Sequence, residues 1–256
     1  VAVALLGAPV VAAPAAGAAV SPSAPVVVSE VYGGGGNSGA PLNEDFVELY
    51  NPTDAAVALD GWSVQYASST GTWASGGQTN LTGSIAPHEH YLVGEGFGAN
   101  TALPALPAPD ATGTIAMSGT GAKVALVGST TRLTCSGTAC ASDPAIVDLV
   151  GWGASASAFA GTGPAPATTN ATSVARDAAG TNTADNASDF TAGAPTPQAS
   201  SDGGPVEPVA ATIAQIQGTG SASPLVGRTV TTSGVVTASY PTGGYNGFVI
   251  QTPGSG

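Results

Sequence analysis

Short apolar runs separated by Gly-, Ser- and Thr-rich connections dominate the chain, and a 3.6-residue apolar period is absent. Residues 26–32 (Val-Val-Val-Ser-Glu-Val-Tyr) read as a strand that stops at Gly33-Gly34-Gly35-Gly36-Asn37. Phe46-Val47-Glu48-Leu49-Tyr50 is a second, ended by Asn51-Pro52; its alternation puts Phe46, Glu48 and Tyr50 on one face, Val47 and Leu49 on the other. Residues 62–66, 90–93, 123–127 and 146–150 complete the set. Several short strands joined by such loops predict an all-β sandwich. By composition alone, residues 151–199, mostly Ala, Thr, Asn, Gly and Pro, read as a disordered tail. A linker over 200–208 follows, and then strand-like runs at 212–216, 229–237 and 248–251. About fifty residues with three strands are too few to bury a two-sided core, so 209–256 reads as an incomplete second β domain.

Charge narrows the functional classes. Of 256 residues only 4 are Lys or Arg against 16 Asp or Glu, a formal net charge of -12. That balance argues against nucleic-acid binding through a basic patch and against a basic amphipathic membrane helix. The first charged residue is Glu30, and the apolar stretch before it ends in small residues, Ala13-Pro14-Ala15 and Ala16-Gly17-Ala18. That pattern predicts a cleavable export signal over 1–19, a short linker over 20–25 and a secreted protein with no stable membrane span; Pro9 and Pro14 weigh against an anchor. In an oxidising compartment Cys135 and Cys140 are expected to form a disulfide across a tight loop, contributing about 2 kcal/mol.

Candidate chemistry is sparse. If the first two strands pair, Glu30 and Glu48 face one another with Asp45 close by. A Ca²⁺ site on Glu30, Asp45 and Glu48 is then one reading, since buried like charges need a cation or donors. The other is a solvated sheet edge with strand-end capping. His88 and His90 lack a third zinc ligand and read as turn residues. No G-x-S-x-G elbow occurs, and the tetraglycine precedes no helix that would cradle phosphate. Trp62 and Trp152 read as core plugs, whereas Tyr66 and Trp73 beside Ser/Thr-rich loops are candidates for stacking a sugar or base. Arg176 is placed to pair with Asp177 or Asp189.

Ser29-Glu30-Val31-Tyr32, Asp45-Phe46-Val47-Glu48-Leu49-Tyr50-Asn51, Gly61-Trp62-Ser63-Val64 and Ile85-Ala86-Pro87 together resemble the lamin-tail domain in its bacterial, secreted form. Asp148-Leu149-Val150-Gly151-Trp152-Gly153, Arg176, Asn186-Ala187-Ser188-Asp189-Phe190 and Pro195-Thr196-Pro197 resemble the late strand and closing segment of the same family. The resemblance spans 26–199 and implies an immunoglobulin-like β-sandwich that includes the stretch read above as a tail. The family pattern departs at Phe159-Ala160-Gly161, where many relatives carry an acidic residue before the Gly. A signal, a lamin-tail domain, a linker and the start of an OB-like β segment resemble the front of secreted bacterial nucleases of the endonuclease/exonuclease/phosphatase family. The resemblance thus implies a non-catalytic adaptor with no cofactor of its own, a divalent metal belonging to a downstream nuclease domain, and DNA, a cell-surface polymer or another protein as partner. A stand-alone secreted or cell-surface binding protein is the alternative, and a hydrolase active within these residues is a third.

Overall fold

The computed structural model describes residues 20–200, 209–220, 223, 230–240 and 247–252. The sequence divides into two units at Gly204/Pro205. In the first unit the strands are β1 (Val27–Tyr32), β2 (Glu44–Tyr50), β3 (Val57–Ala58), β4 (Ser63–Ser68), β5 (Gln78–Asn80), β6 (Ser84–Ile85), β7 (His90–Phe97), β8 (Ala111–Thr112), β9 (Ala122–Val127), β10 (Ile146–Trp152), β11 (Ser173–Ala175) and β12 (Thr191–Gly193). One helical turn, α1 (Asn186–Asp189), precedes β12 and is capped by the Asp185 side chain.

Two sheets form the sandwich, one ordered β12-β11-β1-β2-β7-β8 and one ordered β10-β9-β4-β5. Every pairing in them is antiparallel except β7 with β8. The expected alternation holds along β2: Val47 and Leu49 enter the inter-sheet core, facing Val64, Val124, Leu126, Val150 and Trp152. In β1 strict alternation would separate Val28 from Val31, yet both are in that core. A register shift between Val28 and Glu30 supplies the extra residue and restores the phase. Trp62 and Trp152 are core residues, as their Gly-Trp contexts predict.

Both outer faces are covered as well. Ala67, Trp73, Ala125, Val127, Ile146 and Leu149 pack beneath the Cys135–Cys140 loop on the four-stranded side. Tyr32, Phe46 and Leu92 pack with Leu106 and Ala199 on the six-stranded side. Residues 155–199 therefore belong to the first unit, with Val174 and Phe190 fully inside its core. The tail-like composition is misleading here because this stretch adds β11 and β12 to the edge of a preformed sheet, which needs little apolar density of its own.

The tetraglycine is a corner where several connections close on the β1–β2 turn. A Cβ on Gly33 would meet the Ser118 carbonyl oxygen at 2.5 Å, one on Gly34 the Asn170 carbonyl oxygen at 2.4 Å and one on Gly35 the Glu44 carbonyl carbon at 2.2 Å. Gly36 adds a positive φ of 62° with the Gly98 Cα at 2.6 Å from its hypothetical Cβ. Because the obstructing atoms are backbone, Gly35→Ala is expected to destabilise by about 3 kcal/mol, read from the urea midpoint; a loss under 1 kcal/mol would mean that the corner is soft.

In the second unit β13 (Val209–Ala210) pairs in parallel with β14 (Val230–Thr231), and β15 (Val235–Tyr240) in antiparallel with β16 (Gly247–Gln251). Residues 213–217 form a short helix, α2 (Ile213–Gln217), not the strand expected over 212–216. The reason is local: Thr212 and Gln215 make a reciprocal capping box, and Gly218, at φ 64°, ends the turn. Val235, Val236 and Val249 of the hairpin are about half exposed, at 53%, 57% and 45%. The expected signal at 1–19 and most of the expected linker at 200–208 lie outside the described residues. Among those residues, no helix is long and apolar enough to cross a membrane.

Candidate functional site

The pairing of β1 with β2 sets Glu30 directly opposite Glu48, both 2% exposed. Two apposed buried carboxylates need compensation. It comes from the chain itself. Residues 194–200, an extended Ala-Pro-Thr-Pro-Gln-Ala-Ser segment, cross the outer face of the six-stranded sheet. The Thr196 N–H and Oγ1 donate to Glu30 at 3.0 Å each, and the Gln198 N–H donates to Glu48 Oε2 at 2.7 Å. The Ser200 N–H donates to Asp110 Oδ2 at 2.9 Å, and its hydroxyl also donates to Asp110. Glu48 Oε1 further accepts from Ser29 Oγ at 2.6 Å and lies 2.8 Å from His90 Nδ1. Burial pushes the Glu30 carboxyl above its ordinary value and the Glu48 charge adds to that push, opposed by donors from Ser173 and Thr196.

The three candidate calcium ligands do not converge. Asp45 projects to the other side of β2, where Oδ1 accepts from the Gly35 N–H at 2.8 Å and Oδ2 from the Met117 N–H at 2.7 Å. Among the described residues no group of three or more His, Cys, Asp or Glu is arranged to hold a metal ion. His88, at a positive φ of 56°, sits in a turn with Nε2 2.8 Å from Asp54, while His90 binds Glu48, so the two histidines serve different carboxylates. Ser29, Glu48 and His90 are neighbours but form no relay. The Ser29 hydroxyl donates to Glu48 and the His90 imidazole meets the same carboxylate oxygen, so no hydrogen bond joins the serine to the histidine as a Ser-His pair requires.

Carboxylates that grip main chain recur throughout the sandwich. Glu95, 1% exposed, accepts from Thr79 Oγ1 at 2.6 Å and from the Ile115 N–H at 3.0 Å. Burial pushes both Asp45 and Glu95 up to about 7, against the pull of those donors. Asp148 accepts from the Val28 N–H at 2.8 Å, tying β10 of one sheet to β1 of the other, and Asp189 accepts from the Thr183 N–H at 2.9 Å. Arg176 joins these last two, with Nη2 at 3.1 Å from Asp148 and Nη1 at 2.8 Å from Asp189. It also donates to the carbonyls of Val28 and Thr181 and lies 4.3 Å from the Phe190 ring centre. Although burial raises the Asp189 carboxyl, donors from Thr183 and Arg176 outweigh it and hold the group below its ordinary value. The expected Arg176–Asp189 pair is thus present but fully buried, and Asp177 instead caps Thr181. Glu95 and Asp110 had no motif to announce them; Asp148 opens the late-strand motif of the family resemblance, an acidic residue inside an apolar strand run, but nothing there pointed to its partners.

The stacking candidates are buried. Trp73 is 2% exposed and Tyr66 9%. The Trp73 indole N–H donates to Cys140 Sγ at 3.4 Å, and Lys123 Nζ sits 5.7 Å from the ring centre. Lys123 in turn donates to the carbonyls of Ser68, Ser69 and Gly71 and to Ser157 Oγ, which leaves no proton for an anion in the 460 Å³ cleft alongside. The Tyr66 hydroxyl accepts from the Ser118 N–H at 3.1 Å. Burial leaves little of either ring for a ligand to stack on, although Trp73 forms part of the wall of that cleft. Cys135 and Cys140 form the expected disulfide.

Residues 19–154 match the family model described as Lamin Tail Domain. Among solved structures, the chain is similar to a DUF4876 family protein from Bacteroides thetaiotaomicron at 14% sequence identity and a TM-score of 0.45, with 71% of this chain and 74% of that one covered. No curated protein sequence matches.

Proposed function

The chain belongs to the lamin tail domain family, and from that premise we propose that its sandwich is the non-catalytic adaptor of an exported nuclease-like protein. The enzyme it positions or attaches is of the endonuclease/exonuclease/phosphatase class, and the second unit is the start of an OB-like segment between the two. One observation carries the non-catalytic part. Glu30, Asp45, Glu48, Glu95, Asp148 and Asp189, the buried acids with hydrogen bonds, each accept main-chain N–H donors. Each is also at least nine-tenths buried and bonded to main chain of its own fold, so these hydrogen bonds account for the acids structurally without calling on a substrate. The disulfide supports export, since such bonds persist in oxidising compartments. With a net charge of -12, contact with DNA through this region requires hydrogen bonding or a bridging divalent cation rather than bulk attraction.

The purified 256-residue chain is expected to leave supercoiled plasmid intact with Mg²⁺, Mn²⁺ or Ca²⁺; nicking that survives further purification would end the adaptor reading. The nuclease assignment has its own check in the gene. A reading frame continuing past Gly256 into metal-binding carboxylates and a closing Asp-His motif is expected, whereas a stop codon or surface anchor there would favour a stand-alone binding protein.

A further inference from the structure

We infer that the outer face of the six-stranded sheet is a receptor groove for an extended Pro-x-Pro peptide segment, filled in this chain by its own residues 194–200. The floor is apolar and aromatic: Tyr32, Phe46, Leu92 and Leu106 are all at least nine-tenths buried, and the Tyr32 and Phe46 rings lie 5.6 Å apart. Glu30, Glu48 and Asp110 line it and take the N–H groups of residues 196, 198 and 200, every second position of the strap. Pro195 precedes the first of these and Pro197 lies between the first two, and neither has an N–H to place; Ala199 fills the second gap. A Pro-x-Pro segment is stiffened toward polyproline II before it binds, which lowers the entropy lost on docking, and aromatic grooves are the usual complement to such segments.

The strap is held as a ligand is held rather than as a strand of the core. Ala199 is its one buried residue; Ala194, Thr196 and Ser200 are exposed, and Pro195, Pro197 and Gln198 are half-buried. β12, which leads into it, is three residues long and exposed throughout. Specificity therefore lies in the spacing of main-chain donors against three carboxylates, with a methyl group as the apolar anchor. A segment of the same chemistry supplied by another protein would satisfy the groove equally. The occupant we assign is such a proline-rich extended peptide, competing with a tethered strap whose effective concentration is on the order of millimolar. This inference names a partner chemistry for the adaptor and stands without it: nicking of DNA by the chain would end that reading and leave the groove untouched.

The test uses the full chain and a fluorescein-labelled synthetic peptide spanning Gly193–Ser200. Gln198→Pro removes the N–H donated to Glu48, sets ring carbon against that carboxylate in its place and keeps the strap extended, so the variant is expected to bind the free peptide at least tenfold more tightly than the wild type. Adding Glu30→Gln, which exchanges the anionic acceptor facing Thr196 for a neutral amide, is expected to abolish that gain. Amide hydrogen exchange on the unmodified chain gives an independent reading. The N–H groups of Thr196, Gln198 and Ser200 should open at least tenfold more readily than those of Val31 and Val47. A folded Gln198→Pro variant that ignores the peptide overturns the inference. So does one that unfolds, or strap amides that exchange only with global unfolding, because the strap would then be a part of the core.

Discussion

Arg176→Met is expected to be among the most damaging single substitutions in the sandwich, costing about 3–5 kcal/mol. Among the described residues the guanidinium is the only positive charge paired with Asp148 and Asp189, and all three side chains are essentially inaccessible to water. Many buried ion pairs can be exchanged for apolar residues at little cost, but this one resists the exchange. Asp148 also holds the buried N–H of Val28 and Asp189 the part-buried N–H of Thr183, so removing the acids would orphan main-chain donors, most expensively at Val28. Methionine preserves the volume of the stem and some contact with Phe190, which isolates the electrostatic loss. Arg176→Lys should fall between, since one ammonium cannot reach two carboxylates and two carbonyls in the fork geometry of arginine. Thermal melting is the measurement: at roughly 2–4 °C per kcal/mol for a domain of this size, the methionine variant should melt about 10 °C lower. A drop of a degree or two would show that the triad is dispensable.

Acid should stabilise the protein where most proteins are indifferent to it. Asp45 and Glu95 are pushed up to about 7 by burial, and Glu30 and Glu44 are raised in the same direction. Carboxyls in an unfolded chain titrate near about 4. Between those values the folded state binds protons that the unfolded state has released, so stability falls as pH rises through the window and levels off above about 7. With each pKa unit worth about 1.4 kcal/mol per group, a loss of several kcal/mol between pH 5 and pH 8 is expected, seen as a melting point highest near pH 5. Asp177, Asp185 and Asp189 are shifted the other way, so their contribution is lost only at more acid pH and closes the profile on that side. Glu95→Gln separates cause from coincidence. An amide can still accept from the Ile115 N–H and donate to Thr79 Oγ1, so both contacts survive while the buried charge does not. The variant should be more stable than the wild type at pH 8 and show a shallower slope. A flat wild-type profile, or a Glu95→Gln variant that is weaker at pH 8, would contradict the account.

Strand identity was legible because it is written in neighbouring residues. The Val47/Leu49 alternation, the Asn51-Pro52 stop and the two Gly-Trp contexts each carry their own evidence, and the facing of Glu30 and Glu48 follows once β1 and β2 pair. What compensates those acids was not legible. The donors come from residues 196 and 198, well over a hundred positions away, and a main-chain N–H leaves no mark in a sequence. The same limit explains Arg176. Asp177 and Asp189 are near in sequence, whereas Asp148 belongs to the opposing sheet and becomes a neighbour only when the layers stack. Tyr66 and Trp73 looked available because hydroxyl-rich loops surround them; burial depends on how those loops fold over, and loop paths have no periodicity. α2 is a different kind of miss, since Thr212-x-x-Gln215 is a local signature outweighed by the β-branched residues around it.

A carboxylate that grips backbone reads no side chain. The amide of Thr196, Gln198, Ile115 or Met117 would look the same to its acid under almost any substitution, proline being the exception. Drift is therefore cheap at exposed positions such as Thr114 and Ala116, whereas Ile115, Met117 and Ala199 are fixed by burial and Gly113 by the Glu95 side chain against it; what the acids themselves hold constant is the length of each connection. Insertion of a single amino acid there, harmless in an ordinary surface loop, would slide every donor past its acceptor at once.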